Sequence, residues 1–140
     1  MDRVMFMSGE SYQAKRAALQ QIAGNSPIVS AGKAKVSIGR YVIHLRFCSD
    51  NQFAPGKYKF NINPNTLSAD FEIWICGVPQ HFYLMPVSLM SEFYRHPEAY
   101  VDRYHPNIHI VSVDAEQHKA TYARGGMSAN LSQYFCALLP

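Results

Sequence analysis

The stretch SGESYQAKRAALQQIAGN spaces Ala14, Ala17, Ala18 and Ile22 at helical intervals, with Ser8 as a cap, Glu10 in the first turn, and Gly24 and Asn25 as a stop. It predicts an N-terminal helix with a narrow, alanine-rich packed side. After the breaker SPIVSAGK the period falls from about four to two. RYVIHLRF alternates Arg40, Val42, His44 and Arg46 against Tyr41, Ile43, Leu45 and Phe47. GKYKFNIN sets Lys57, Lys59, Asn61 and Asn63 opposite Tyr58, Phe60 and Ile62, and ADFEIWIC sets Asp70, Glu72 and Trp74 opposite Phe71, Ile73 and Ile75. These three consecutive strands each carry one polar face. HFYLMP, closed by Pro86, predicts a fourth and more uniformly apolar strand, so the spacing suits an antiparallel meander.

VSLMSEFYRH predicts a helix after Pro86, with Ser88 available as a cap and Leu89, Met90 and Phe93 packed. It should halt at His96, because the residue before Pro97 avoids helical geometry. PEAYVDRY suits a short helix with Pro97 at its first position. NIHIVSVDAEQHKATYARGG predicts a hairpin, with Ile108 to Val113 and Lys119 to Ala123 as strands around DAEQH, and SANLSQYFCALL suits a closing helix. The expectation is a single α+β domain over residues 1–140. Its mainly antiparallel sheet would have about five to six strands, with an N-terminal helix, a middle helix after Pro86 and a C-terminal helix. The apolar end FCALLP fits either a domain cut from a longer protein or a docked helix.

Composition narrows the class. With 48% hydrophobic residues the chain can build one core without staples. Charged residues make up only 16%, against roughly 25% in soluble domains. The 13 Lys and Arg against 10 Asp and Glu leave +3, which permits an anionic partner without requiring one. Cys48, Cys76 and Cys136 are odd in number and sit in apolar settings, as reduced thiols packed like small hydrophobes do, and a cytoplasmic location is expected. MDRVMFM is too short, and carries an acid too early, for a signal peptide. No stretch approaches the roughly 18 uncharged apolar residues of a spanning helix, so no membrane partner is expected.

Candidate chemistry sits mainly on the polar faces. If RYVIHLRF and GKYKFNIN pair antiparallel, Arg40, His44 and Arg46 join Lys57, Lys59, Asn61 and Asn63 in a basic, amide-bearing ribbon. Such a ribbon can neutralise phosphates and hydrogen-bond adenine; the alternative is the solvated outer face that any half-buried sheet has. Asp70 and Glu72 have the spacing with which a metal-dependent nuclease brings carboxylates to magnesium. Trp74 stands where an acid-x-lysine motif would put its lysine, and cross-strand ion pairs explain the two acids equally well. Trp74 shares their face, as a base-stacking surface or as a ring covered by the first helix. Arg124, ahead of Gly125 and Gly126, could help hold a phosphate at a helix start, although paired glycines also simply leave a hairpin. His105 and His109 have a helical metal-pair spacing that Pro106 breaks, and neither a zinc site nor a Cys-His nucleophile is expected.

Across residues 40–92, RYVIHLRF, KYKFNIN and ADFEIWICGVPQHFYLMPVSLM resemble the downstream, non-catalytic half of PD-(D/E)XK and restriction-type nuclease domains, with Asp70, Tyr83 and Pro86 on matching positions. In that family the catalytic Asp and acid-x-lysine lie upstream, and residues 1–39 hold neither. The resemblance therefore implies a setting, DNA restriction or the sensing of DNA modification, and carries over no catalytic residue. The leading expectation is a DNA-binding recognition module without a cofactor, with double-stranded DNA as partner. It would contact phosphates through Arg40, Arg46, Lys57 and Lys59, with His44, Asn61, Asn63, Trp74 and Arg124 as further candidates. The alternatives are a small magnesium-dependent nuclease using Asp70 and Glu72, or an assembly domain that exposes Phe53 and the methionines of MFM and LMSEF toward a homodimer or a further domain.

Overall fold

Residues 9–140 are described by a computed structural model, and the Ser8 cap and the MFM run lie outside them. Helix α1 (Gly9–Ala23) stops at Gly24, whose φ of +57° is the left-handed turn that glycine adopts without a Cβ clash. Its buried side is Ala14, Ala18, Leu19, Ile22 and Ala23, while Ala17 faces solvent. The stretch expected to be a breaker is instead a hairpin of β1 (Ile28–Gly32) and β2 (Lys35–Ile38). β2 pairs antiparallel with β3 (Tyr41–Cys48).

The next strand, β4 (Lys57–Ile62), leaves this sheet altogether. β5 (Phe71–Cys76) returns to it and lies parallel to β3, with His44 opposite Glu72 and Arg46 opposite Trp74. β6 (Phe82–Pro86) completes the sheet in the order β1-β2-β3-β5-β6. Parallel neighbours require a crossover connection, and here β4 is part of that crossover. The expected meander and two-stranded ribbon are thereby corrected: β3 and β4 are consecutive in the chain but unpaired. β4 instead forms the edge of a second antiparallel sheet with β7 (His109–Asp114), β8 (Lys119–Ala123) and β9 (Met127–Asn130).

Helix α2 (Val87–Arg95) begins directly after Pro86, which takes the cap position, so Ser88 lies inside the helix; His96 leaves it with ψ 130°. PEAYVDRY forms no helix, its Ala99 and Val101 bridging Ala123 and His109. The expected C-terminal helix is also absent. Gly125 and Gly126, at φ +79° and +73°, turn the chain into β9, and a 3-10 turn at Ser132–Tyr134 follows. Among the described residues the architecture is therefore α+β, with nine mostly antiparallel strands in two sheets and two helices rather than three around one sheet.

The first sheet is the middle layer. Ile43, Leu45, Ile73, Ile75, Phe82 and Leu84 pack beneath α1. On its other face Trp74, Cys76, Tyr83 and Met85 meet Tyr58, Phe60, Ile62, Val111 and Val113 of the second sheet, with Met90 and Phe93 of α2. Trp74 is fully buried and stacks on Phe60 with ring centroids 4.7 Å apart. The second sheet thus has one face in this core and one face that no other element among the described residues covers. None of the described helices is long and apolar enough to cross a membrane.

Candidate nucleic-acid interface

Strict alternation along β4 buries Tyr58, Phe60 and Ile62 and turns Lys57, Lys59 and Asn61 outward. Antiparallel register extends that outer face across the sheet: Lys57 lies beside Asp114 and then Lys119, and Lys59 beside Ser112 and then Thr121. Asn130 and Ser128 of β9 continue the two rows. The loop from Cys48 to Ala54 rises along the β4 edge, and together they enclose an open groove of about 1160 Å³ that Lys57, Lys59, Lys119, Gln117 and Thr121 also line. Phe53 of that loop is 87% exposed.

Among the described residues two carboxylates line this groove and both are engaged. Asp114 Oδ2 accepts from Lys57 Nζ at 2.5 Å, while its Oδ1 accepts the N–H groups of Glu116 and Gln117 in the turn to β8. The Lys57 hydrogen bond holds the Asp114 carboxyl below its usual range, against a smaller opposing effect of burial. Asp50 Oδ1 accepts from the Tyr58 hydroxyl at 2.6 Å. Among the described residues, Lys59 and Lys119 form no ion pair with an acid. Of the described lysines that line the groove, these two have no acidic partner. Lys119, Ser112 and Thr121 join this face through the antiparallel pairing of β4, β7 and β8, and the alternation of KATYA after a turn carries part of that signal.

The other residues expected at the site are elsewhere. His44 and Arg46 point from β3 into the space between the sheets, where they close over Glu72. Arg46 is bidentate to it, with Nε 2.7 Å from Oε1 and Nη2 3.1 Å from Oε2. His44 Nδ1 lies 3.3 Å from Oε2, and the Trp74 indole N–H donates to Oε1 at 3.0 Å. Burial alone would push the Glu72 carboxyl up, but the hydrogen bonds from His44, Arg46 and Trp74 and the Arg46 charge together hold it below the ordinary value. Glu72 is 0% exposed, with both oxygens occupied by side chains of its own chain.

Asp70 is exposed, precedes β5, and accepts the Val42 N–H at 2.8 Å, so it fixes the start of β3 and does not share a site with Glu72. Among the described residues no group of three or more His, Cys, Asp or Glu could hold a metal ion. Trp74, buried, is no stacking platform. Arg40 is exposed in the β2–β3 turn, its guanidinium bonded to Tyr41 Oη at 2.8 Å. Asn63 lies outside β4 and accepts the Asn65 N–H at 3.0 Å, capping the 3-10 turn Pro64–Thr66. Arg124 sits in the β8–β9 turn rather than before a helix. Of the assembly candidates among the described residues, Met90 is buried in the core and Phe53 is exposed.

The fold and this face define a class: an α+β chain whose second sheet leaves a lysine, amide and hydroxyl surface open beside a groove. Comparison with protein-family models, with curated proteins and with solved structures returned no match.

Proposed function

We propose that the chain is a DNA-binding module whose contact is the outer face of the second sheet, in the restriction-type setting that the resemblance of residues 40–92 implies. The observation that supports it best is the pair Lys59 and Lys119, exposed on one face, without acidic partners among the described residues, and flanked by Ser112, Thr121 and Asn61. Ammonium groups so placed release counterions when they neutralise phosphates, and hydroxyls and amides hydrogen-bond phosphate oxygens or base edges. Lys57 contributes less, since Asp114 holds its charge. His44, Arg46, Glu72 and Trp74 serve the core and leave the contact to β4, β7 and β8.

Titrating labelled DNA at low and at moderate salt tests this. Binding should weaken steeply with salt, and Lys59→Glu with Lys119→Glu should abolish it while the melting temperature stays within a few degrees. No binding at low salt, or unchanged affinity in the double variant, would remove the proposal.

A further inference from the structure

We infer that the groove takes single-stranded DNA, with an unpaired base stacked on the Phe53 ring while the backbone passes Lys59 and Lys119; this rests on the reading of the sheet face as a DNA contact. Phe53 is the most exposed of the large hydrophobic residues described, at 87%, and its loop is held in a defined turn. The Phe53 N–H donates to Asn51 Oδ1 at 2.9 Å, Ala54 N–H to the Asn51 carbonyl at 3.0 Å, and Lys57 N–H to the Ala54 carbonyl at 3.2 Å. The ring therefore stands in solvent on a braced loop, and it lines the same groove as the lysines. Tyr104, the next most exposed at 76%, has the Arg103 guanidinium over its ring and lines none of the grooves described.

The strand class follows from what a free ring can meet. In a duplex the base faces are stacked on one another, and an inserted ring must first unstack a step. An unpaired strand offers its base faces at no such cost, and a cationic track beside an aromatic ring is the combination that holds single strands with little sequence preference. Lys59 and Lys119 lie two strands and two residues apart on one face, about 12 Å at the usual strand spacing and rise. A backbone crossing β4 and β7 can therefore reach Lys59 and Lys119 in succession. Ser112, Thr121 and Gln117 on the floor supply neutral donors and acceptors.

The experiment is fluorescence anisotropy with a labelled thymidylate 15-mer and a blunt duplex of equal length, on the whole chain. The single strand should bind at least tenfold tighter. Phe53→Ala should lose roughly 5- to 150-fold of that affinity, and Phe53→Trp should keep it. The ring is exposed, so melting should be unchanged. Duplex binding as tight as single-strand binding, or Phe53→Ala within twofold of the parent, overturns the inference. If the Lys59→Glu, Lys119→Glu variant still loses all binding, the DNA module survives that result. If neither DNA binds at low salt, both fall. A change of mass in solution on Phe53→Ala, with affinity unaltered, would assign the ring to contact between copies of the chain instead.

Discussion

Two polar strand faces that look alike in sequence have opposite fates in this molecule. RYVIHLRF presents His44 and Arg46 to the interior, where they pin Glu72 between two sheets; KYKFNI presents Lys57 and Lys59 to an open groove. The difference is one of topology. β3 lies in the middle layer, covered on both sides, whereas β4 is at the edge of an outer layer covered on one. A charged alternation therefore specifies two faces of a strand without saying which of them meets water.

The comparison can be broken first at the buried end. Glu72→Ala leaves the mostly buried Arg46 guanidinium without its carboxylate and should cost about 3–5 kcal/mol, read by urea unfolding. A second change, Arg46→Leu, should recover much of that loss. If Glu72→Ala melts like the parent, the knot is not structural.

Acidification should act at the same place. Glu72 titrates below its unfolded value, so in the interval between the two values the unfolded chain binds more protons than the folded one. The stability that the carboxylate contributes is thus present above the unfolded value and is lost as pH falls through the lowered one. Chemical denaturation from pH 6 downward should show a loss that Glu72→Gln flattens.

His109 should add a smaller step at higher pH. Burial lowers its titration below 6.5, and among the described residues neither its Nδ1 nor the neighbouring Tyr94 hydroxyl has a hydrogen-bond partner. The folded state resists protonation, so stability should fall as pH drops below 6.5, and His109→Phe should remove that step.

The smallest effect belongs to the exposed pair. Asp114→Asn keeps the Oδ1 acceptor of the turn and loses only the Lys57 ion pair, so it should cost less than about 1 kcal/mol. Its effect on DNA should have the opposite sign: affinity should rise, because one carboxylate leaves the groove and Lys57 is released. A drop in affinity would show that Asp114 orders the contact face.

Much of this could be read from residues. The core side of β4, the apolar β6, helix α2 and the hairpin around DAEQH all follow from period and punctuation. What the sequence left open depended on pairing partners. Nothing in RYVIHLRF or ADFEIWIC shows that the two strands run parallel in neighbouring positions, and that register is what brings His44 to Glu72. SANLSQYFCALL has a composition compatible with a helix, but Gly125 and Gly126 fold it back so that its backbone pairs with β8 and its Leu131 enters the core. The uncovered face proposed as the contact is half legible in the sequence. Lys57, Lys59 and Asn61 stood out, but Lys119 joins them only because β7 bridges β4 to β8.

The salt dependence of DNA binding by Lys59→Ala, Lys119→Ala tests the division between the two faces most directly. If both ammonium groups neutralise phosphates, the slope of log affinity against log salt should fall by about 1.4 to 1.8 relative to the parent, with unfolding in urea unchanged. A slope equal to the parent's would place the contact elsewhere and contradict the account.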